Sequence, residues 1–443
     1  MSGSGYAIGL AIASYEGMAA ITLLVVAKYF VPIFLRNGID TMPQFLEQRF
    51  GSHIGTLMAV FWIALYVFVN LTSILWLGSL AIAYVSGMDQ MVALVALAVF
   101  ALAYQLYGGL KAVALTDVVQ VTLLVLGGLL LAGITLNEIS NSSGIIAGLT
   151  RLQAEAPGHF KMILSPDNPF YKDLPGLGVL LAGLWVMHCS YWGFNQYISQ
   201  RALAAKNIGE AQKGLLFAAG LKILMPVIVV LPGLAALMLA PDLPRADAAY
   251  PSMMALLPTG VLGAVFAALI AAVVSSLASM TNSISTIFTM DLYARFGRER
   301  SQKELVRSGR TAGVVSMAIA IAAVLARPLL GSSDQAFQAI QNYTGYFTPG
   351  IVAIFLMGLL WKRANEAGAL AAALRESAAK KLLPSRWSIT AARLLRLAIA
   401  AVSQAPRHRC PAGARRGAAI DRLSRPRAKT RRSGPWCAGR RAG

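Results

Sequence analysis

The sequence predicts an all-α integral membrane protein, and three observations predict it. Of 443 residues, 57% are hydrophobic and only 13% are charged, about half the charged share of a soluble domain. The mean hydropathy is +0.62. Nine continuous apolar runs approach or exceed the roughly 20 residues that a helix needs to cross a bilayer. Strands of a membrane barrel would instead be segments of about 10 residues with alternating polarity.

The runs cover 11–32, 53–84, 90–106, 110–134, 175–200, 212–240, 260–292, 311–330 and 338–361. The second and seventh exceed a straight crossing and predict tilt or a cytoplasmic extension; the third is short. Orientation follows from Lys and Arg in the connecting segments. With the N-terminus outside, the inner connections carry 14 such residues and the outer ones 5. The proline-rich stretches 135–174 and 241–259 then become outer connectors. Between the first two runs, MPQFLEQRF at 42–50 has apolar residues at helical spacing after a proline. It fits a helix along the cytoplasmic interface and, equally, a short helix capping the bundle.

The formal net charge of +20 is unevenly placed: residues 375–443 carry +16 and residues 1–374 carry +4. Two segments follow, a transmembrane core at 1–374 and a basic, aperiodic tail at 375–443. An apolar run starting at Ala367 breaks off abruptly, and the Arg-, Ala-, Pro- and Ser-rich sequence after it has the character of out-of-frame GC-rich coding. The other reading is a polybasic arm for anionic lipid or nucleic acid. At the opposite end MSGSGYAIGL leads straight into a span without a signal peptide.

Cys189, Cys410 and Cys437 lack metal-ligand spacing, and the four histidines are scattered. With no nucleophile–base pair or phosphate loop, the sequence does not read as an enzyme. Ionisable residues inside spans are costly and mark function. Here they are Glu16, Asp117, His188 and Lys222. Lysine snorkelling, helix-terminus stabilisation of the acids and a satisfied interior histidine are the structural alternatives. The seventh run crowds Ser275, Ser276, Ser279, Thr281, Asn282, Ser283, Ser285 and Thr286 on one helix. Small polar residues pack helices. Adjacent hydroxyls at Ser275 and Ser276 with the Ala272 carbonyl one turn earlier also suit a hard cation, completed by an unwound partner helix. The fifth run holds Tyr191, Trp192, Phe194, Asn195, Gln196 and Tyr197, an aromatic and amide surface suited to stacking on and hydrogen-bonding a sugar. Gln338, Gln341, Asn342 and Tyr343 add amides in the ninth run that need partners.

SGSGYAIGLAIASYE, YGGLKAVALTDVVQ, YWGFNQYISQRALAAK, VVSSLASMTNS, FTMDLY and GLLWKRANEAGA, in this order, resemble the sodium/solute symporter family, nearest its sodium/glucose and sodium/galactose cotransporter branch. The resemblance covers Met1 to Leu374. It implies the inverted-repeat fold of five plus five helices, with solute and ion held at the midplane beside broken helices. It implies solute contacts at Tyr15, Glu16, His188, Tyr191, Trp192, Lys222 and Gln341. Sodium ligands are implied at Ala272, Ser275 and Ser276, and an ion exit path at Asp117. Two positions depart from the pattern. His188 stands where the galactose-transporting branch has a sugar-bonding asparagine, and Ala19 stands where a serine is expected.

The expected function is sodium-coupled symport of a glucose- or galactose-like sugar across the plasma (bacterial inner) membrane. Inositol, proline, pantothenate or an organic acid is the alternative solute. Sodium is the coupling ion, with no other cofactor and no nucleic-acid partner. The resemblance further implies a core lacking the family's first helices and ending before its last ones, hence a fragment expected not to transport by itself.

Overall fold

The computed structural model describes residues 1–172, 174, 176–295, 301–326, 348–361 and 364–379. The described residues are helical, without strands. Seven helices are long and apolar enough to cross a membrane, and Thr348–Leu360 is a shorter apolar one. We number the helices α1 (Ser2–Ile8), α2 (Leu10–Arg36), α3 (Met42–Arg49), α4 (Ser52–Ser86), α5 (Gln90–Ile139), α6 (Ile145–Glu155), α7 (176–193), α8 (Gln196–Leu203), α9 (Ile208–Leu239), α10 (Ala249–Met254), α11 (Thr259–Tyr293), α12 (Gln302–Leu325), α13 (Thr348–Leu360) and α14 (Glu366–Ala379).

Two departures from nine continuous spans have physical causes. The third and fourth expected spans form one helical segment, α5, of 50 residues. A straight helix would hold Tyr104 and Thr116 about 18 Å apart, yet their hydroxyls are hydrogen-bonded. The segment therefore bends between them, and Gln90–Gly108 and Thr116–Ile139 are each still long and apolar enough to cross a membrane. The fifth expected span, 175–200, is broken. Phe194 and Asn195 leave helical geometry, and the Asn195 carboxamide caps a new helix, α8, by accepting from Tyr197 N at 3.0 Å. Of the ninth, only the part from Thr348 is described. Helix α14 continues across position 374 to Ala379.

Helical geometry breaks at Gly9, whose φ of +92° suits glycine. A Cβ there would also lie 2.3 Å from the His159 carbonyl oxygen. The break separates α1 from α2, so the α-helical part of α2 starts at Ala13 and has Glu16 in its first turn. That position favours a carboxylate through the partial positive charge of the helix N-terminus.

Of the two alternatives for 42–50, the structure takes the cap. Thr41 and Gln44 form a reciprocal capping box, and Met42, Pro43, Phe45 and Leu46 are buried. Arg49 donates to the Gly358, Ala364 and Trp361 carbonyls at 2.9, 3.2 and 2.7 Å, tying α3 to the end of α13. Thr41 donates its hydroxyl to Asp291 at 2.9 Å, and Met42 N donates to Gln196 at 2.8 Å. Above this helix Phe355 is the hub of an aromatic stack. Its ring centroid lies 4.6 Å from that of Phe194, 5.5 Å from Phe45 and 5.8 Å from Trp62. These rings close the side of the bundle that the charge pattern assigns to the cytoplasm.

Candidate solute and ion site

Above the aromatic stack lies a cavity of about 510 Å³, bounded by α2, α4, α7, α9, α11 and α13. Several of its walls are π-helical turns, which add a residue per turn and commonly occur at functional sites. Tyr191 and Trp192 stand on the turn Cys189–Gly193, and Asn70 stands on Tyr66–Leu71. Lys222 precedes the turn Pro226–Val230, where proline removes a helical hydrogen bond.

Six of the seven expected solute contacts line this cavity: Tyr15, Glu16, His188, Tyr191, Trp192 and Lys222. Gln341 lies outside the described residues. Glu16 is 7% exposed, and Lys222 Nζ lies 2.8 Å from its Oε2. The ion pair uses only one of the carboxylate's several acceptor sites, so Glu16 keeps acceptor capacity for an occupant. The ammonium also sits 4.9 Å from the Trp192 ring centroid, a cation–π distance. Lys222 therefore does not snorkel to a surface; the buried Glu16 and the half-buried Trp192 hold it at the cavity.

His188 is buried, its ring edge-on to Tyr15 at 6.0 Å between centroids. It is hydrogen-bonded to the Tyr15 backbone. Among the described residues His188 Nε2 and Trp192 Nε1 have no hydrogen-bond partner. Buried polar atoms are normally satisfied, so this wall presents polar groups to an occupant. Tyr191 and Trp192 meet edge to face at 5.1 Å. Ala19 lines the same cavity.

The expected ion ligands divide. Ala272 and Ser276 line the cavity. Ser275 is buried beside it and donates its hydroxyl to Asp117 Oδ1. Asp117 Oδ2 pairs with Arg201 at 2.9 Å. Arg201 also donates to the Ser279 hydroxyl at 2.8 Å, and Tyr197 is hydrogen-bonded with Ser276. Oxygen atoms thus run from the cavity wall along α11 to an acid on α5, with one guanidinium closing the row.

The sequence reading missed Asn70, Ser73 and Arg201. Asn70 and Ser73 line the cavity from α4. Their signal was present, since VNLTS interrupts an apolar run with polar residues, as the accepted sites do. Arg201 was counted only as a loop charge, and no spacing rule connects it to an acid 84 positions earlier.

A family model described as "Sodium:solute symporter family" matches residues 1–375. Over 388 residues the chain is 53% identical to a sodium/glucose cotransporter of Vibrio parahaemolyticus, covering 84% of this chain and 71% of that one. It is 34% identical over 399 residues to sodium/myo-inositol cotransporter 2 of Homo sapiens, covering 83% of this chain and 58% of the relative. The match thus spans less than two thirds of that mammalian relative. Among solved structures, a substrate-bound, outward-open Na⁺-coupled sialic acid symporter shares the fold. It superposes with a TM-score of 0.75 at 21% identity, over 91% of this chain and 84% of that one.

Proposed function

This chain belongs to the sodium:solute symporter family, and from that premise we propose that its multi-pass membrane core couples movement of a neutral sugar or related polyol to sodium by alternating access. The observation that carries the reading is the Glu16–Lys222 pair on the cavity wall, 2.8 Å apart. Polyol hydroxyls both donate and accept. One hydroxyl donates to the Glu16 carboxylate and another accepts from the Lys222 ammonium, and both bonds are charge-assisted. His188 Nε2 accepts a third and Trp192 Nε1 donates a fourth, while the Tyr191 and Trp192 faces cover the apolar face of the ring. A charged solute would upset the balance of this pair, which is why a neutral one suits it.

Sodium prefers oxygen ligands, as other hard cations do. The Ala272 carbonyl and the Ser275 and Ser276 hydroxyls are the proposed ligands on α11. Asp117, hydrogen-bonded to Ser275, gives the ion a carboxylate on its way to the cytoplasm. Arg201 balances that carboxylate when no ion is near. Solute release to the cytoplasm requires the stack around Phe355 to part. Each sodium crossing 100 mV contributes about 2.3 kcal/mol, enough for roughly fifty-fold solute accumulation.

The printed names of the two relatives, a glucose and a myo-inositol cotransporter, support a neutral polyol. His188 favours keeping inositol beside glucose and galactose, since it alters the hydrogen-bonding pattern at the ring. The test is binding of labelled glucose, galactose and myo-inositol to the purified chain in sodium and in choline. Saturable binding of at least one, present in sodium and lost in Lys222→Met, is expected. Binding indifferent to sodium, or proline displacing all three, would overturn the reading.

A further inference from the structure

On the outer surface of the bundle, α4, α11 and α12 enclose an open groove of about 650 Å³, separate from the solute cavity. Ile63, Val67, Phe288 and Ile319 make its walls apolar, and one end is polar, with Glu304, Arg307 and Ser308. From Glu304 to Ile319 is 15 residues along α12, about 22 Å at helical rise. That is the depth of one hydrocarbon leaflet, about 15 Å, plus part of a head-group layer. The charge pattern puts the polar end at the cytoplasmic surface, beside Lys303 and Arg310.

Shape and charge together select the occupant. Arg307 makes no ion pair among the described residues, and Ser308 Oγ is buried with no partner there. Both suit phosphate oxygens. Glu304 stands one turn before Arg307 at the same opening. Its Oε2 accepts from Ser301 N at 3.1 Å, so the carboxylate is held in place and does not pair with Arg307. A purely anionic head group meets that carboxylate unfavourably, and a quaternary ammonium cannot donate to it.

We propose that this groove binds one phospholipid of the cytoplasmic leaflet whose head group carries a phosphate and a primary ammonium. The phosphate lies at Arg307 and Ser308, the ammonium at Glu304, and an acyl chain runs along Phe288 and Val67 toward Ile319. The inference depends on the membrane orientation and not on the transported solute.

The test is native mass spectrometry of the full chain in mild detergent with phosphatidylethanolamine, phosphatidylglycerol or phosphatidylcholine of identical acyl chains. One phosphatidylethanolamine is expected to be retained preferentially. Arg307→Gln lowers that retention about fivefold, the scale of one exposed charge contact. Glu304→Gln keeps the capping box, which accepts either residue, and removes the preference over phosphatidylglycerol. Val315→Phe narrows the groove without touching a charge and lowers retention of the same lipid. Equal retention of the three lipids overturns the site, as does retention unchanged in Arg307→Gln and Val315→Phe. Preference for phosphatidylglycerol overturns the head-group assignment. Sugar binding in sodium, measured on the same samples, reports the solute site separately.

Discussion

Arg201, on the short helix that follows the break at Asn195, reaches Asp117 on α5 at 2.9 Å. The same guanidinium holds Ser279 on α11, while the Asp117 carboxylate accepts from Ser275. A residue that sequence position assigns to a cytoplasmic loop therefore closes the row of oxygens proposed for the ion.

The first prediction concerns that link. In Arg201→Gln the Asp117 carboxylate loses its fixed counter-charge and attracts sodium more strongly. The sodium concentration giving half-maximal sugar binding should fall about fivefold, the effect of one partly exposed ion pair. Arg201→Lys should lie between wild type and Arg201→Gln, since an ammonium cannot span Asp117 and Ser279 as a planar guanidinium does. A rise in the sodium requirement would contradict this role.

Glu16 and Lys222 should behave as a unit. Glu16→Gln and Lys222→Gln each leave the other charge buried and unpaired, a costlier state than removing both. A double-mutant cycle on sugar binding and thermal stability should give a coupling of about 1–3 kcal/mol. Additive effects would mean that the pair is only a close approach.

His188→Asn should change selectivity more than stability. The imidazole, bonded to the Tyr15 backbone, leaves Nε2 to face the cavity, whereas an asparagine amide offers both a donor and an acceptor. Ratios of glucose, galactose and myo-inositol affinity should shift by about tenfold, the worth of one hydrogen bond. Equal changes for all three would place His188 away from the solute.

Phe355→Ala removes the hub between Phe194, Phe45 and Trp62. The expected loss is about 3–5 kcal/mol, read as a lower unfolding temperature. A cysteine at Ser276 should then become more reactive to a cytoplasmic thiol reagent, because the closure beneath it is gone. Unchanged reactivity would show that other groups seal that side.

Arg49→Lys replaces three carbonyl contacts with at most a point contact, and leaves the part-buried Gly358 and Ala364 acceptors near the end of α13 unsatisfied. A cost of about 1–3 kcal/mol is expected in thermal unfolding. Exposed Lys213→Gln, whose surface pair with Glu210 spans 3.1 Å, serves as the control and should change stability by less than about 1 kcal/mol.

Composition and run length alone determined the class of this protein. Continuous apolar runs need helices because a bilayer satisfies no backbone group, and the Lys and Arg asymmetry points to one orientation. The costly residues Glu16, Asp117, His188 and Lys222 marked the interior, since each needs a partner there. Which partner each has was decided only by tertiary structure. Lys222 and Glu16 are more than 200 positions apart and Asp117 and Arg201 are 84 apart, and no periodicity encodes such pairings. The break at Phe194–Asn195 likewise escaped hydropathy, which averages over a longer window, whereas the bend between Tyr104 and Thr116 falls where the runs 90–106 and 110–134 part. Whether 42–50 lies on the membrane or caps the bundle turned on Arg49 finding three carbonyls at and just after the end of α13, a contact more than 300 residues away in sequence.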